Sequence, residues 1–229
     1  MSAPPERVSA IVPAFNGERF LEQALRSVVD QSLPPAEVIV VDDGSTDGSA
    51  EIAEGFGEPV RCIRQENTGV AGARNRGLSA AAGELIAFLD QDDLWPEEKL
   101  EAQVAALVAN PEVGIVSGHL RVIGGALPGR AWSTRGPREA PAGAHLSAAL
   151  IRRSVFDKTG PLDEAIGHAA DDLEFFVRAR DLGVRRLNLD VVTLLYRWHG
   201  GNTSTDIDSA AAGQLEAVRQ SLERRRANR

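Results

Sequence analysis

Leu85-Ile86-Ala87-Phe88-Leu89-Asp90-Gln91-Asp92-Asp93 is the stretch on which the fold turns: five apolar residues run straight into three carboxylates within four positions. A short, continuous apolar run of this kind reads as a strand covered on both faces. The same construction recurs upstream. Val38-Ile39-Val40-Val41 is β-branched throughout and leads into Asp42-Asp43-Gly44-Ser45. Val8-Ser9-Ala10-Ile11-Val12 closes on Pro13-Ala14-Phe15-Asn16-Gly17, and Val60 to Ile63 is followed by Gln65-Glu66-Asn67-Thr68-Gly69. Val113-Gly114-Ile115-Val116 reads as a fifth strand.

Helical patterns fill the intervals. Between Glu18 and Gln31, Phe20, Leu21, Ala24, Leu25, Val28 and Val29 recur at helical spacing with one apolar face. Ser45 and Thr46 are placed to cap a helix running through Ala53. Val70 to Ala82 is a third helix, ended by Gly83, and Pro96 to Val108 a fourth, with Pro96 suited to a first turn. Strands alternating with helices at these intervals predict an α/β domain with a mostly parallel sheet. Such sheets bind ligands beyond the carboxyl ends of their strands, where the acidic residues stand.

The second half is less regular. Gly124 to Ala144 is rich in Gly, Pro, Ala and Arg and has no period, so it reads as a functional or disordered loop. Helical patterns return at Arg152 to Lys158 and Asp171 to Leu182, a strand at Val191 to Tyr196, and an amphipathic helix at Ser209 to Arg225. Neither a repeat nor a linker divides the chain. The expectation is one domain over residues 1–229, with halves at 8–118 and 119–204 and a terminal helix in 205–229.

Bulk properties bound the rest. A chain of 229 residues, 43% hydrophobic and 25% charged, can build a core without disulfides. Its single cysteine, Cys62, lies in an apolar run and reads as a buried, inert thiol. A net charge of -8 argues against general nucleic-acid binding. No run is long and apolar enough to span a membrane, and Met1 to Arg7 has no signal-peptide core, which points to the cytoplasm. Arg224-Arg225-Arg226 reads as a frayed, solvated helix end, with contact to the inner membrane face or to a partner as the minor alternative. His119, His145 and His168 lack metal-ligand spacing and read as ordinary polar residues.

Adjacent carboxylates repel one another, and a hard divalent cation such as Mg²⁺ or Mn²⁺ relieves the repulsion. Asp42-Asp43 alone reads more readily as a helix cap with a solvated neighbour than as a ligand site. Three carboxylates after Leu89 are harder to explain without a ligand. Arg74-Asn75-Arg76, following Gly69-Val70-Ala71-Gly72, is placed to meet a phosphate or a base edge. Neither a dinucleotide fingerprint nor a P-loop is present.

In this order the motifs resemble those of the family 2 glycosyltransferases. The resemblance is carried by Val12-Pro13-Ala14-Phe15-Asn16, Val41-Asp42-Asp43-Gly44-Ser45-Thr46-Asp47, Asn67-Thr68-Gly69 with Ala73-Arg74-Asn75-Arg76-Gly77, and Phe88 to Asp93. Asp171-Asp172-Leu173-Glu174 with Arg178, and Tyr196-Arg197-Trp198-His199, look like the family's two later motifs. The resemblance implies a GT-A fold: a Rossmann-like, mostly parallel sheet flanked by helices, with a less regular acceptor-side half.

It also implies an activity, the inverting transfer of a sugar from a nucleoside-diphosphate donor to an acceptor hydroxyl, assisted by Mn²⁺ or Mg²⁺. A UDP-sugar is the family's common donor. Asp43 would bind the base, with Pro13 and Ala14 beside it, and Arg74 would help hold the nucleotide. Asp90 would meet the ribose, with Gln91 at the same donor site. Asp92 would hold the metal and His199 would be a further metal or phosphate ligand. Asp172 would be the general base. Asp171 stands where the family more often has Glu, which leaves the base open between the two. The acceptor is open among a sugar, a lipid-linked group and a small molecule, and a homodimer is a further expectation. Trp132 in the irregular loop suits acceptor stacking, and Arg130, Arg135 and Arg138 suit an anionic acceptor or simple solvation. Trp95 reads as packing at a helix start.

Two other readings were open. A sugar-phosphate nucleotidylyltransferase would carry a Gly-rich basic loop where Pro13-Ala14-Phe15-Asn16 stands. A non-catalytic nucleotide-sugar binder would have no need of Asp171-Asp172.

Overall fold

The computed structural model describes residues 7–124, 139–166, 170–200 and 207–227. The continuous apolar runs form the centre of the sheet. β1 (Val8–Ala14) is buried at every position, as is β4 (Leu85–Phe88), and β2 (Glu37–Asp42) is buried at all but its first residue. With β3 (Val60–Arg64) they lie in the order β3-β2-β1-β4, all parallel. Parallel pairing brings their carboxyl ends to one edge: Ala14 lies beside Asp42, and Asp42 beside Arg64.

Helices α1 (Leu21–Val29), α2 (Ser49–Phe56), α3 (Gly69–Ala80) and α4 (Lys99–Ala109) follow β1 to β4 in turn. α1 buries Leu21, Ala24, Leu25 and Val28, the apolar stripe read from the sequence. α4 begins at Lys99 rather than Pro96, whose carbonyl accepts the Lys99 N–H. Ser45 and Thr46 do not cap α2, because Gly48 precedes the helix and both residues bond Asn16 instead.

α3 approaches the sheet through small residues. Gly77 is so close to β1 that a Cβ there would stand 2.4 Å from Ile11 Cγ2. Gly77→Ala is therefore expected to lower stability: overpacking costs about 1–3 kcal/mol, against about 1 kcal/mol gained in helix propensity. A thermal melt checks it, and a raised Tm would show that α3 does not pack this tightly.

The second half extends the sheet with mixed pairing. β5 (Val113–Gly124) continues well past the expected Val116, and β8 (Arg185–Trp198), parallel to it, extends past both ends of the expected Val191 to Tyr196. β6 (Glu139–Pro141) and β7 (Leu150–Arg152) are short antiparallel partners, and β7 joins β4 to β5. The order is β3-β2-β1-β4-β7-β5-β6, with β8 on β5.

α5 (Arg153–Thr159) and α6 (Asp171–Asp181) cover one face, where Phe156 stacks on Phe175 with centroids 5.1 Å apart. α7 (Ile207–Ala227) packs on α6. Two of the three C-terminal arginines are anchored by carboxylates, although Arg225 stays exposed: Arg224 donates to Glu174 at 3.1 Å and Arg225 to Asp181 at 3.0 Å. Cys62 is half-buried rather than buried, and burial pushes its thiol up to about 11, which keeps it inert. Among the described residues no helix is long and apolar enough to cross a membrane. Trp132, His168, Arg130, Arg135 and Arg138 lie outside the described residues.

Candidate active site

Loops at the carboxyl ends of β1, β2 and β4 are locked together by side chains. Asn16, in the left-handed region at φ 50° as asparagine tolerates, donates its N–H to Ser45 Oγ and accepts from Thr46 N, each at 2.9 Å. Gln91 clamps the backbone of Phe15: its Oε1 accepts Phe15 N–H at 2.8 Å and its Nε2 donates to Phe15 O at 3.0 Å. A Cβ on Gly17 would fall 2.1 Å from Gln91 Oε1, so the clamp depends on that glycine. Gln91 thus joins the ends of β1 and β4, with both polar atoms of its amide engaged on Phe15. The clamp leaves Phe15 46% exposed at the rim, a ring the sequence reading did not single out.

Asp43 is buried beside the end of β1, and its N–H bonds Ala14 O at 2.7 Å. Its carboxylate faces the start of α3, accepting from Thr68 N at 2.9 Å and Gly69 N at 2.8 Å, and from Gln65 Nε2 at 2.7 Å. Helix N-terminal amides favour a negative charge at that point. Pro13 and Ala14 line the same corner as buried strand residues.

Arg74, placed by the sequence to meet a phosphate or a base edge, is buried, and carboxylates surround it. Nη1 donates to Asp171 Oδ2 at 2.6 Å and Asp172 Oδ1 at 2.8 Å, and Nη2 to Asp90 Oδ1 at 2.5 Å. Nε is buried with no partner. One guanidinium thereby ties the end of β4 to the start of α6. A 3-10 turn, Leu146–Ala148, closes the circuit. Leu146 N donates to Asp172 Oδ2 at 2.8 Å, and Ser147 Oγ donates to Asp90 Oδ2 at 3.1 Å. The turn is held from behind, where Trp95 Nε1 donates to Ser147 O at 2.9 Å and Gln103 Nε2 to Ala148 O, also at 2.9 Å. Leu146 and Ser147 were missed by the sequence reading. A one-turn segment has no periodicity, and a backbone N–H leaves no trace in residue type.

His145, at the head of this turn, is half-buried. Its ring lies 5.8 Å from that of Tyr196, and burial pulls its pKa down against the opposing charge of Asp90, so the imidazole is held neutral.

The charges divide by role. Burial alone would raise the Asp90 carboxyl, but the Arg74 charge and hydrogen bond outweigh it and hold Asp90 ionised. Asp172 goes the other way. Burial, with the charges of Asp171 and Asp90, outweighs Arg74 and pushes it up to about 7. Asp92 is raised by burial and by the charge of Asp90, against a hydrogen bond from His199. Asp93 is raised well above the carboxylate range by burial and by both neighbours.

His199 Nε2 meets Asp92 Oδ2 at 2.9 Å, across a sequence separation of 107 residues. Asp93 accepts Arg197 N–H at 2.8 Å, facing inward as a brace for the same loop. Among the described residues no group of three or more His, Cys, Asp or Glu side chains forms a metal cage by itself.

The sequence profile described as Glycosyl transferase family 2 matches residues 9–160. An uncharacterized glycosyltransferase of Nostoc sp. is 32% identical over 228 residues, 91% of this chain and 70% of that protein. Glycosyltransferase GlyA of Streptococcus pneumoniae is 41% identical over 96 residues, 41% of this chain and 14% of that protein. The chain thus spans most of the first relative and a small part of the second.

Two solved structures share the fold. S. aureus TarS 1-349 in complex with UDP-GlcNAc superposes with a TM-score of 0.75 at 23% identity, over 95% of this chain and 66% of that one. Mannosyltransferase PcManGT from Pyrobaculum calidifontis, in complex with GDP-Man and Mn²⁺, gives 0.72 at 21%, over 96% and 65%. Fold, ordered motifs and sequence likeness agree: the chain belongs to glycosyl transferase family 2 and is a glycosyltransferase of GT-A fold.

Proposed function

We propose that the enzyme moves a sugar from a nucleoside-diphosphate donor to an acceptor hydroxyl, with inversion and with help from a divalent cation. The observation that carries this reading is the knot around Arg74, which holds Asp90 and Asp172 on one guanidinium at 2.5 and 2.8 Å. An ionised donor-side carboxylate thereby stands next to one whose proton affinity matches a base working near neutrality.

In this reading residues 8–118 bind the donor and 119–204 form the acceptor side. Asp43 accepts hydrogen bonds from the base, Pro13 and Ala14 pack beside it, and the exposed ring of Phe15 offers it a stacking face. Asp90 receives the ribose hydroxyls, with Gln91 fixing the wall beside it. Arg74 serves the nucleotide indirectly, by fixing Asp90. Asp92 and His199 are positioned as the protein ligands of a cation whose shell is completed by the donor's phosphates, as Mg²⁺-type sites commonly are. Such an ion, when bound, neutralises the charge that builds on the leaving diphosphate. The solved complexes of TarS with UDP-GlcNAc and of PcManGT with GDP-Man and Mn²⁺ support a nucleotide-sugar donor and a cation here. A UDP-sugar is the donor we infer first.

Asp172 takes the acceptor's proton. Its side chain is 17% exposed, against 4% for Asp171, which supports Asp172 as the base and Asp171 as the buried partner of Arg74. A single base and a single displacement at the anomeric carbon give inversion, through a transition state of oxocarbenium character.

A donor panel scored for nucleoside-diphosphate release, with and without Mn²⁺ or Mg²⁺, tests the reading. Asp92→Asn is expected to lower metal-dependent turnover about 100-fold or more, as loss of a direct metal ligand should, with the melting temperature close to wild type. Full metal-dependent turnover in that variant would remove Asp92 from the site.

A further inference from the structure

Beyond the ligand pair itself, the end of β8 is fastened to α1 by a device that no role above uses. Arg197 makes directed contacts to three described residues. Its N–H donates to Asp93 Oδ1 at 2.8 Å, its Nε to Asp92 O at 2.9 Å, and its Nη2 to Gln23 Oε1 at 2.8 Å. Its guanidinium also lies 4.9 Å from the centroid of the Phe20 ring, at the start of α1. The same ring packs against the His199 imidazole, with centroids 4.7 Å apart and planes tilted by 33°. Next to it, Leu94 and Leu195 exchange backbone hydrogen bonds at 3.1 and 2.9 Å, joining the acidic loop to β8.

Phe20 is thus shared between Arg197, which grips the backbone of Asp92, and His199, whose Nε2 meets the carboxylate of Asp92 at 2.9 Å. An imidazole on an open strand end samples several rotamers, and ordering it costs entropy when a ligand binds. A ring against one face and a fixed partner loop remove that freedom beforehand. Supporting groups of this kind commonly set metal affinity although they never touch the ion.

We propose that Arg197 and Phe20 are positioning residues that preset Asp92 and His199 for the divalent cation. This rests on the assignment of Asp92 and His199 as cation ligands. Neither Arg197 nor Phe20 is placed in contact with donor or acceptor, so their effect should show in cation affinity and not in metal-free nucleotide binding.

The test is Mn²⁺ binding to the whole chain with saturating UDP and no acceptor, read from loss of the free-ion electron paramagnetic resonance signal. Metal-free UDP affinity is measured alongside by calorimetry, and folding by thermal melt. Arg197→Gln and Phe20→Leu are each expected to weaken Mn²⁺ binding about 10-fold or more, the range for supporting residues. Metal-free UDP affinity should stay within about twofold in both, since neither touches the nucleotide. Arg197→Lys, which keeps the charge and one donor, should fall between wild type and Arg197→Gln. If Arg197→Gln fails to fold, Phe20→Leu and Arg197→Lys carry the measurement.

Asp92→Asn and His199→Ala separate the two levels. If they abolish Mn²⁺ binding while Arg197→Gln, or in its absence Arg197→Lys, and Phe20→Leu bind as wild type does, the positioning role is overturned and the ligand assignment stands. If Asp92→Asn and His199→Ala bind Mn²⁺ like wild type, or wild type binds none, the ligand assignment fails and the positioning role with it. A lower melting temperature with unchanged Mn²⁺ affinity would leave Arg197 and Phe20 as structural packing and overturn the proposal.

Discussion

Asp172→Asn is expected to lower kcat by about 10²–10⁴-fold, the usual contribution of a positioned general base, while donor affinity changes less than about twofold. The amide keeps one oxygen, for Arg74 or for Leu146 N–H, at the loss of the other bond, while Asp90 and Asp171 still hold Arg74. What it loses is the ability to take a proton. Because Asp172 shares one guanidinium with Asp90 and Asp171, removing its charge relieves repulsion, and the fold should be at least as stable as wild type.

The pH profile gives an independent readout. A base must be unprotonated to act, and burial together with Asp171 and Asp90 pushes Asp172 up to about 7. In wild type kcat/KM should therefore fall on the acid side, about tenfold per pH unit below that value. The variant should lose that limb along with its activity. Asp171→Asn should cost far less in kcat, since Asp171 is deeply buried against Arg74. Equal losses from both variants, or an intact acid limb in Asp172→Asn, would move the base elsewhere.

Much of this site was legible before any coordinates, for a physical reason. Parallel strands covered on both faces are nearly continuous apolar runs, so β1, β2 and β4 stand out, and the polar residues that end them mark the edge where such sheets bind ligands. β5 and β8 are half-covered. Gly118 interrupts β5, and Arg185-Arg186 opens β8 with charge, so only their most apolar stretches looked like strands. Ser45 and Thr46 have the chemistry of helix caps, and nothing local shows that Asn16 takes them instead. Arg74 stood out in the sequence, but its surroundings did not. In a helix of small residues an arginine reads as surface, and the two aspartates that bury it lie 97 and 98 positions away.

That burial makes Arg74→Gln the most disruptive single change expected. Three carboxylates, Asp90, Asp171 and Asp172, converge on one cation. Taking the cation away leaves them facing each other, Asp171 the most deeply buried of the three, and breaking a buried pair in this way costs about 3–5 kcal/mol. The variant can reduce that cost by taking up protons, which raises the carboxylates' folded-state pKa values above their unfolded ones. The folded protein then binds more protons than the unfolded chain, so stability falls as pH rises through the window between the two. Arg74→Gln should therefore melt far below wild type at pH 8 and recover part of the difference at pH 5. Turnover should fall beyond detection at either pH, because Asp90 and Asp172 no longer share a fixed separation. Adding Asp171→Asn to Arg74→Gln removes one uncompensated charge and should restore stability without restoring turnover. Recovery of stability alone would separate Arg74's charge-balancing role from its part in holding Asp90 and Asp172, the proposed donor carboxylate and base, together. An Arg74→Gln protein with wild-type melting behaviour at pH 8 would mean that the three aspartates do not meet on this guanidinium in solution.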